Sequence, residues 1–264
     1  MISLQNITKT FNRGSITEKR ALKGISLALQ EGDFVTVIGG NGAGKSTLLN
    51  LIAGVHSVDT GKITLDGIDV TTWKEHKRAK FLGRVFQDPM MGTASNMGIA
   101  ENLALAYRRG KPRSLKWGVT HPELEIYKEL LLSLDLGLEN RMASKVGLLS
   151  GGQRQALTLL MATLQKPRLL LLDEHTAALD PKTAHKVLEL TQEIVTKNNL
   201  TAFMVTHNMK NAIHYGNRLI MMLEGKIVYD VSGEEKKNLQ VVDLLKKFEM
   251  VSEDGLVNDR MLLG

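Results

Sequence analysis

Phe34-Val35-Thr36-Val37-Ile38-Gly39-Gly40-Asn41-Gly42-Ala43-Gly44-Lys45-Ser46-Thr47, continuing to Ala53, admits one architectural reading. Phe34–Ile38 is an apolar run ending in glycines, as a strand buried at the centre of a sheet does. Ser46–Ala53 carries on as a helix. Between them Gly39–Ser46 matches G-x-x-x-x-G-K-[ST] in the strand–loop–helix setting that this phosphate cradle requires. Its glycines let successive backbone N–H groups of Gly39, Gly40, Asn41, Gly42, Ala43 and Gly44 turn toward the β- and γ-phosphates. The helix beginning near Gly44 adds the positive end of its dipole. Lys45 brings a point charge to the β/γ oxygens, the Ser46 hydroxyl is a magnesium ligand, and Thr47 is placed to bond the α-phosphate.

Outward from this stretch, Ile2–Ile7 and Ile25–Leu29 alternate apolar and polar residues, as half-buried antiparallel strands do. Lys62–Leu65 and Arg84–Phe86 read as short strands. From about Met97 to Lys145 the period becomes helical: Ile99, Leu103 and Ala106 share one face, and Leu124, Tyr127, Leu131 and Leu134 another. Strand and helix then alternate through Arg168–Leu172, Pro181–Thr196, Ala202–Thr206, Asn208–Tyr215 and Leu219–Leu223. Pro181 suits a helix start, where its missing N–H would be unpaired anyway. The expected fold class is α/β: a P-loop NTPase core of mixed sheet, with an N-terminal antiparallel β subdomain and an inserted α-helical subdomain at about 97–150. We expect one ATP-binding domain over 1–232 and a C-terminal helical extension over 233–264. In that extension Leu239, Val242, Leu245 and Phe248, at helical spacing, pack back on the domain.

Composition narrows the class. At 264 residues the chain buries a full core, and 43% hydrophobic with 23% charged residues is ordinary for a globular protein. No apolar run approaches the roughly 20 residues of a bilayer span, and the N-terminus lacks the basic and apolar regions of a secretory signal. The absence of cysteine excludes disulfides and thiolate metal sites and fits a reducing cytoplasm. The net charge of +6 serves solubility, anionic ligands or an anionic membrane face, while 5% aromatic residues argue against nucleic-acid binding.

Two further segments carry chemistry. Leu169–Leu172 ends in Asp173-Glu174, placing two carboxylates at the C-terminal end of a buried strand, where α/β ligand sites form. Alone the pair is also an ordinary solvated strand end; the upstream phosphate loop favours a site. Asp173 would hold the magnesium shell, and Glu174 would polarise the attacking water as general base. Leu149-Ser150-Gly151-Gly152-Gln153 stands just upstream and opens a helix whose small N-terminal residues offer free N–H groups to an anion. The chain's own phosphate loop already serves one nucleotide, so this geometry makes sense if two copies meet head to tail.

The three segments in this order, from Phe11 to about Asp230, resemble the ATP-binding cassette (ABC) family. The resemblance implies an ATPase with ATP and Mg2+ as its ligands, working as a homodimer or paired with a homologous cassette. It implies that Phe11 stacks on adenine, and that Gln87, in Val85-Phe86-Gln87-Asp88-Pro89, contacts magnesium and the attacking water. His207 would bond the γ-phosphate, and Asp180 would couple the two sites across the dimer. Ser150, Gly151, Gly152 and Gln153 would reach the partner's ATP. His175, where the family usually has proline, and Gly40, where it has proline or serine, depart from the pattern. His175 is either pH-sensitive or a satisfied structural histidine.

On this resemblance the chain is the cytoplasmic ATPase subunit of a transporter, peripheral on the inner face of the membrane. Its partners would be transmembrane permease subunits and, indirectly, an extracellular solute-binding protein, with no nucleic acid. The wording around Gln87–Ala100 and at Gly233–Lys236 resembles an importer branch for small solutes, amino acids among them. The rival is a soluble ABC-type ATPase of an assembly process such as iron–sulfur cluster scaffolding. The basic run Arg108–Lys116 is a solvated loop or a contact with lipid or permease.

Overall fold

The structure, a computed structural model, describes residues 1–111 and 118–251. The middle of the basic run, 112–117, and the end of the expected C-terminal extension, 252–264, lie outside the described residues. The N-terminal part holds β1 (Ile2–Phe11), β2 (Lys19–Leu29), β3 (Phe34–Ile38), α1 (Lys45–Ala53), β4 (Thr60–Leu65), β5 (Ile68–Asp69), α2 (Glu75–Arg78) and β6 (Leu82–Val85). Next come α3 (Ile99–Tyr107), α4 (His121–Leu132), α5 (Gly151–Thr163), β7 (Leu169–Asp173) and α6 (Pro181–Lys197). The described residues close with β8 (Ala202–Val205), α7 (Met209–His214), β9 (Arg218–Leu223), β10 (Lys226–Ser232), α8 (Gly233–Lys237) and α9 (Val241–Val251).

Two sheets form. One is antiparallel, in the order β2-β1-β4-β5; the other is mixed, in the order β10-β9-β3-β8-β7-β6. In the second, β3, β8, β7, β6 and β9 run parallel and β10 closes the edge antiparallel to β9. This is the α/β architecture expected: mixed-sheet core, N-terminal antiparallel sheet, and inserted helices.

The apolar strands explain how the two layers are held. Val35, Val37, Leu169, Leu171, Phe203 and Val205 face α1 and the antiparallel sheet, in one cluster with Leu48, Leu51 and Ile52. Alternate residues, Phe34, Leu170, Leu172, Ala202 and Met204, face α5 and α6 in another. A strand sandwiched this way has no polar face, which is why these runs read as continuous. Each fully buried Leu or Ile here contributes about 1.5–3 kcal/mol. A third cluster, around Leu103, Tyr127, Leu131 and Leu157, is the helical subdomain's own core.

Four local readings are corrected. Alternation fades at Ile7 although β1 runs on to Phe11, because Asn6 has φ 50° and the pairing register with β2 shifts there. The strand read at Arg84–Phe86 is Leu82–Val85; Gly83, a poor strand former, sits there because the Ala162 carbonyl would lie 2.5 Å from any Cβ. Strand β10 was missed. In α9 the inward residues are Leu244 and Phe248, whereas Val242 is 55% exposed.

Arg78 shows a structural role no pattern reveals. Its guanidinium is buried and donates to the carbonyls of Leu51 and Ile52 at 2.7 and 2.9 Å, and to those of Trp73 and Thr71. It thereby closes the C-terminus of α1, where the helix dipole is negative.

Candidate functional site

The loop between β3 and α1 is shaped by what surrounds it. Gly44 is the N-cap of α1 with φ 100°, and a Cβ there would meet Leu22 Cδ2 at 2.7 Å and the Ala21 carbonyl at 2.8 Å. At Gly39 a Cβ would lie 2.3 Å from the Met222 carbonyl of β9. The first glycine of the motif is thus required by close packing as well as by its neighbours' N–H groups. Lys45, only 7% exposed, donates to the carbonyls of Gly39 and Gly40 at 2.7 and 3.3 Å. Burial lowers its pKa, and the nearby carboxylates of Glu174 and Asp173 oppose that shift.

A cavity of about 590 Å³ opens over this loop, walled by Phe11, Asn41 to Thr47, Gln87, Asp173 and Glu174. Gly39 and Gly40, expected in the site, are not among its walls; their carbonyls hold Lys45. The Phe11 ring stands T-shaped to that of His56, with 5.3 Å between centroids. Lys19, paired with Phe11 across the β1–β2 ladder, also lines the cavity and was missed. Its signal was available only in three dimensions, since it falls in a polar stretch.

The two carboxylates are held differently. Asp173 ends β7, where burial raises its pKa and Arg84, 3.5 Å away, pulls it back. Arg84 also donates to Asn50 Oδ1 at 2.7 Å and lies 4.5 Å over the Phe86 ring. An arginine in a short strand beside Gln87 was the overlooked sign. Glu174 lies just past the strand with φ 43°, a strained backbone for a side chain bearing a Cβ and worth about 1–2 kcal/mol. Contact with His207, whose Nδ1 is 3.6 Å from Oε2, lowers the Glu174 pKa against burial and raises that of His207. Glu174 is therefore a carboxylate at neutral pH, able to accept a proton.

The donor set suits magnesium. Ser46, Gln87 and Asp173 bring a hydroxyl, an amide and a carboxylate to one cavity, each with an oxygen of hard character, and among the described residues no cluster of three His, Cys, Asp or Glu side chains stands ready to hold a metal. Magnesium is commonly bound in this way, through one carboxylate and the substrate's phosphates.

The Ser150 segment does not line the cavity. Ser150 is exposed and caps α5, accepting from the Gln153 N–H, while the Gln153 side chain accepts from the Ser150 N–H at 3.2 Å. Gly152 is packed so closely on α6 that a Cβ would sit 2.2 Å from Thr183 Cγ2. Asp180 caps α6 through the Thr183 N–H at 3.1 Å. Both segments therefore have structural work within one chain.

His175 is 2% exposed, with Nε2 3.1 Å from Thr191 Oγ1. That hydroxyl donates to the Val187 carbonyl, so the ring nitrogen donates to it. Burial lowers the His175 pKa to about 4. The unfolded chain takes up this proton near the ordinary value of about 6.5, whereas the folded chain refuses it until about pH 4. Stability from this group is thus complete above 6.5 and falls as pH drops toward 4, by about 2–3 kcal/mol at pH 4.5. His175→Leu should remove that increment, read as a smaller pH 7 to pH 4.5 change in urea midpoint than in the wild type. An identical change in both proteins would contradict a neutral buried ring.

Comparison with known proteins adds ancestry to geometry. The model of the ABC transporter family matches residues 22–177. The "Tyrosine transport ATP-binding protein" of Clostridioides difficile (strain R20291) is 46% identical over 249 residues, covering 94% of this chain and 99% of the relative. The "Spermidine/putrescine import ATP-binding protein PotA" of Aggregatibacter actinomycetemcomitans is 34% identical; 89% of this chain aligns with 59% of that protein's length. A solved dimeric ATP-binding cassette, in a post-hydrolysis state bound to ADP and Pi, superposes with TM-score 0.74 at 30% identity, covering 88% of this chain and 98% of the other.

Proposed function

Since this chain belongs to the ABC transporter family and is an ATP-hydrolysing subunit of the importer kind, we propose that it energises uptake of a small solute, an amino acid, through membrane-embedded permease subunits. The amino-acid reading rests on one observation: similarity along nearly the whole length of a relative named for tyrosine transport. The chain would sit peripherally on the inner membrane face; among its described residues no helix is long and apolar enough to cross a bilayer. The solute would be delivered by an extracellular binding protein.

In this reading ATP lies along the cavity, its base against Phe11 and its phosphates over the Asn41–Thr47 N–H groups and Lys45. Ser46, Gln87 and Asp173 would hold magnesium, which when bound neutralises phosphate charge and polarises the transferred group. Glu174 takes the proton of the attacking water, and His207 orients Glu174 and the γ-phosphate. Phosphoryl transfer is chiefly positioning and charge stabilisation, so a missing group can gate it. The exposed Ser150 end of α5 supplies that group to the ATP of a second copy or homologous cassette. Support for such pairing comes from the dimeric form of the similar solved cassette.

The test is purification of the full chain from membranes, followed by ATPase assays with its permease in vesicles. It should co-purify with integral membrane proteins, and a loaded amino-acid-binding protein should stimulate its ATPase. Recovery only as a soluble protein, with no membrane partner, would favour the assembly ATPase instead.

A further inference from the structure

Gln155 lies on α5, beyond the segment that carries the capping chemistry, and is 0% exposed. Its Nε2 donates to the Phe86 carbonyl at 3.2 Å, and its Oε1 is buried with no partner. A buried amide left half satisfied costs stability, so an apolar residue of that volume would do better if packing alone mattered. Phe86 follows β6, the edge strand of the mixed sheet, where a carbonyl just past the strand has no neighbouring strand to supply a donor. The next residue is Gln87. On the other side of Phe86 the Arg84 guanidinium covers the ring and reaches Asp173.

We propose that Gln155 is a positioning residue for the hydrolysis reaction: it ties the main chain at Phe86 to α5 and so sets where the Gln87 side chain enters the nucleotide cavity. The inference rests on the assignment of Gln87 to the reacting nucleotide. The same hydrogen bond joins the chain leading into Gln87 to α5, which bears the Ser150 cap at its N-terminus. Elsewhere α5 lies directly on β6 through Gly83, and past Gln87 it meets the same segment again, Arg154 Nη1 donating to Met90 Sδ at 2.8 Å and Thr158 packing on Gly92. Phe86 is then held at both its carbonyl and its ring, and Gln87 follows from a fixed pivot.

The test uses the full chain and magnesium ATP. Gln155→Leu keeps the volume and removes both polar atoms. We expect kcat to fall about tenfold, the scale for a misplaced reacting group, with ATP affinity within about twofold. In a Gln87→Ala background the same substitution should cost nothing further, because its effect passes through Gln87. Gln155→Met, another uncharged side chain of similar length that cannot donate to the carbonyl, should lower kcat about as much. Amide hydrogen exchange at Gln87 and Asp88 should rise in Gln155→Leu while that of α5 is unchanged, which also separates local release from failure to fold. Undiminished kcat in a folded Gln155→Leu, or losses that multiply in the double variant, would overturn the proposal. If Gln87→Ala alone leaves kcat intact, the role given to Gln87 fails instead.

Discussion

Glu174→Gln should leave ATP binding intact, slow hydrolysis by about 10²–10⁴-fold and accumulate an ATP-loaded dimer. The side chains are nearly isosteric, so the cavity keeps its shape and Lys45 its loop contacts. What disappears is the group that takes a proton from water. Glu174 is available for that task because contact with His207 keeps it ionised despite burial, at some loss of basicity. The histidine should respond in turn: its raised pKa depends on that carboxylate and should drop toward the ordinary value in the variant. Single-turnover hydrolysis, size-exclusion with ATP, and NMR titration of the His207 ring measure the three effects. Wild-type turnover in Glu174→Gln would remove it from the base role.

Ser150→Arg should abolish hydrolysis while the monomer's ATP affinity stays near wild type, because Ser150 lies outside the chain's own cavity. The structure complicates that substitution. Ser150 is the N-cap of α5, and losing the cap alone costs about 1 kcal/mol. Ser150→Asp resolves the ambiguity. Aspartate caps a helix as well as serine, yet brings negative charge to the point where a partner's γ-phosphate would lie. It should retain thermal stability and still lose hydrolysis. Equilibrium binding of a fluorescent ATP analogue and steady-state phosphate release suffice as readouts. Weakened ATP binding by the isolated monomer, or full activity of Ser150→Asp, would contradict donation of this segment to a second protomer.

Parts of the site were readable because their chemistry is local. A phosphate loop needs consecutive N–H groups at the start of one helix, so Gly39–Thr47 declares itself in one stretch. Asp173 and Glu174 end a run of leucines whose alternate side chains fill two cores. What was less legible works across distance. The packing that also demands a glycine at Gly152 comes from Thr183, at Gly39 from the Met222 carbonyl and at Gly83 from the Ala162 carbonyl, each a close approach between elements far apart in sequence. Arg84 and Gln155 look unremarkable until β6, β7 and α5 are brought together. Val242 was misplaced because i, i+3 spacing fits two helical faces almost equally, and only packing on α7 and β9 selects Leu244 and Phe248.

By itself, then, the order of residues determined the phosphate cradle, the alternation of strand and helix and the paired carboxylates, since each depends on neighbours within a turn or strand. Only the tertiary structure decided that His207 meets Glu174, that Arg84 meets Asp173, that His175 is sealed against Thr191, and that the Ser150 end of α5 faces outward. Those contacts follow from sheet order and helix packing, which sum many weak burial energies over the whole chain and leave no mark in any single window of sequence.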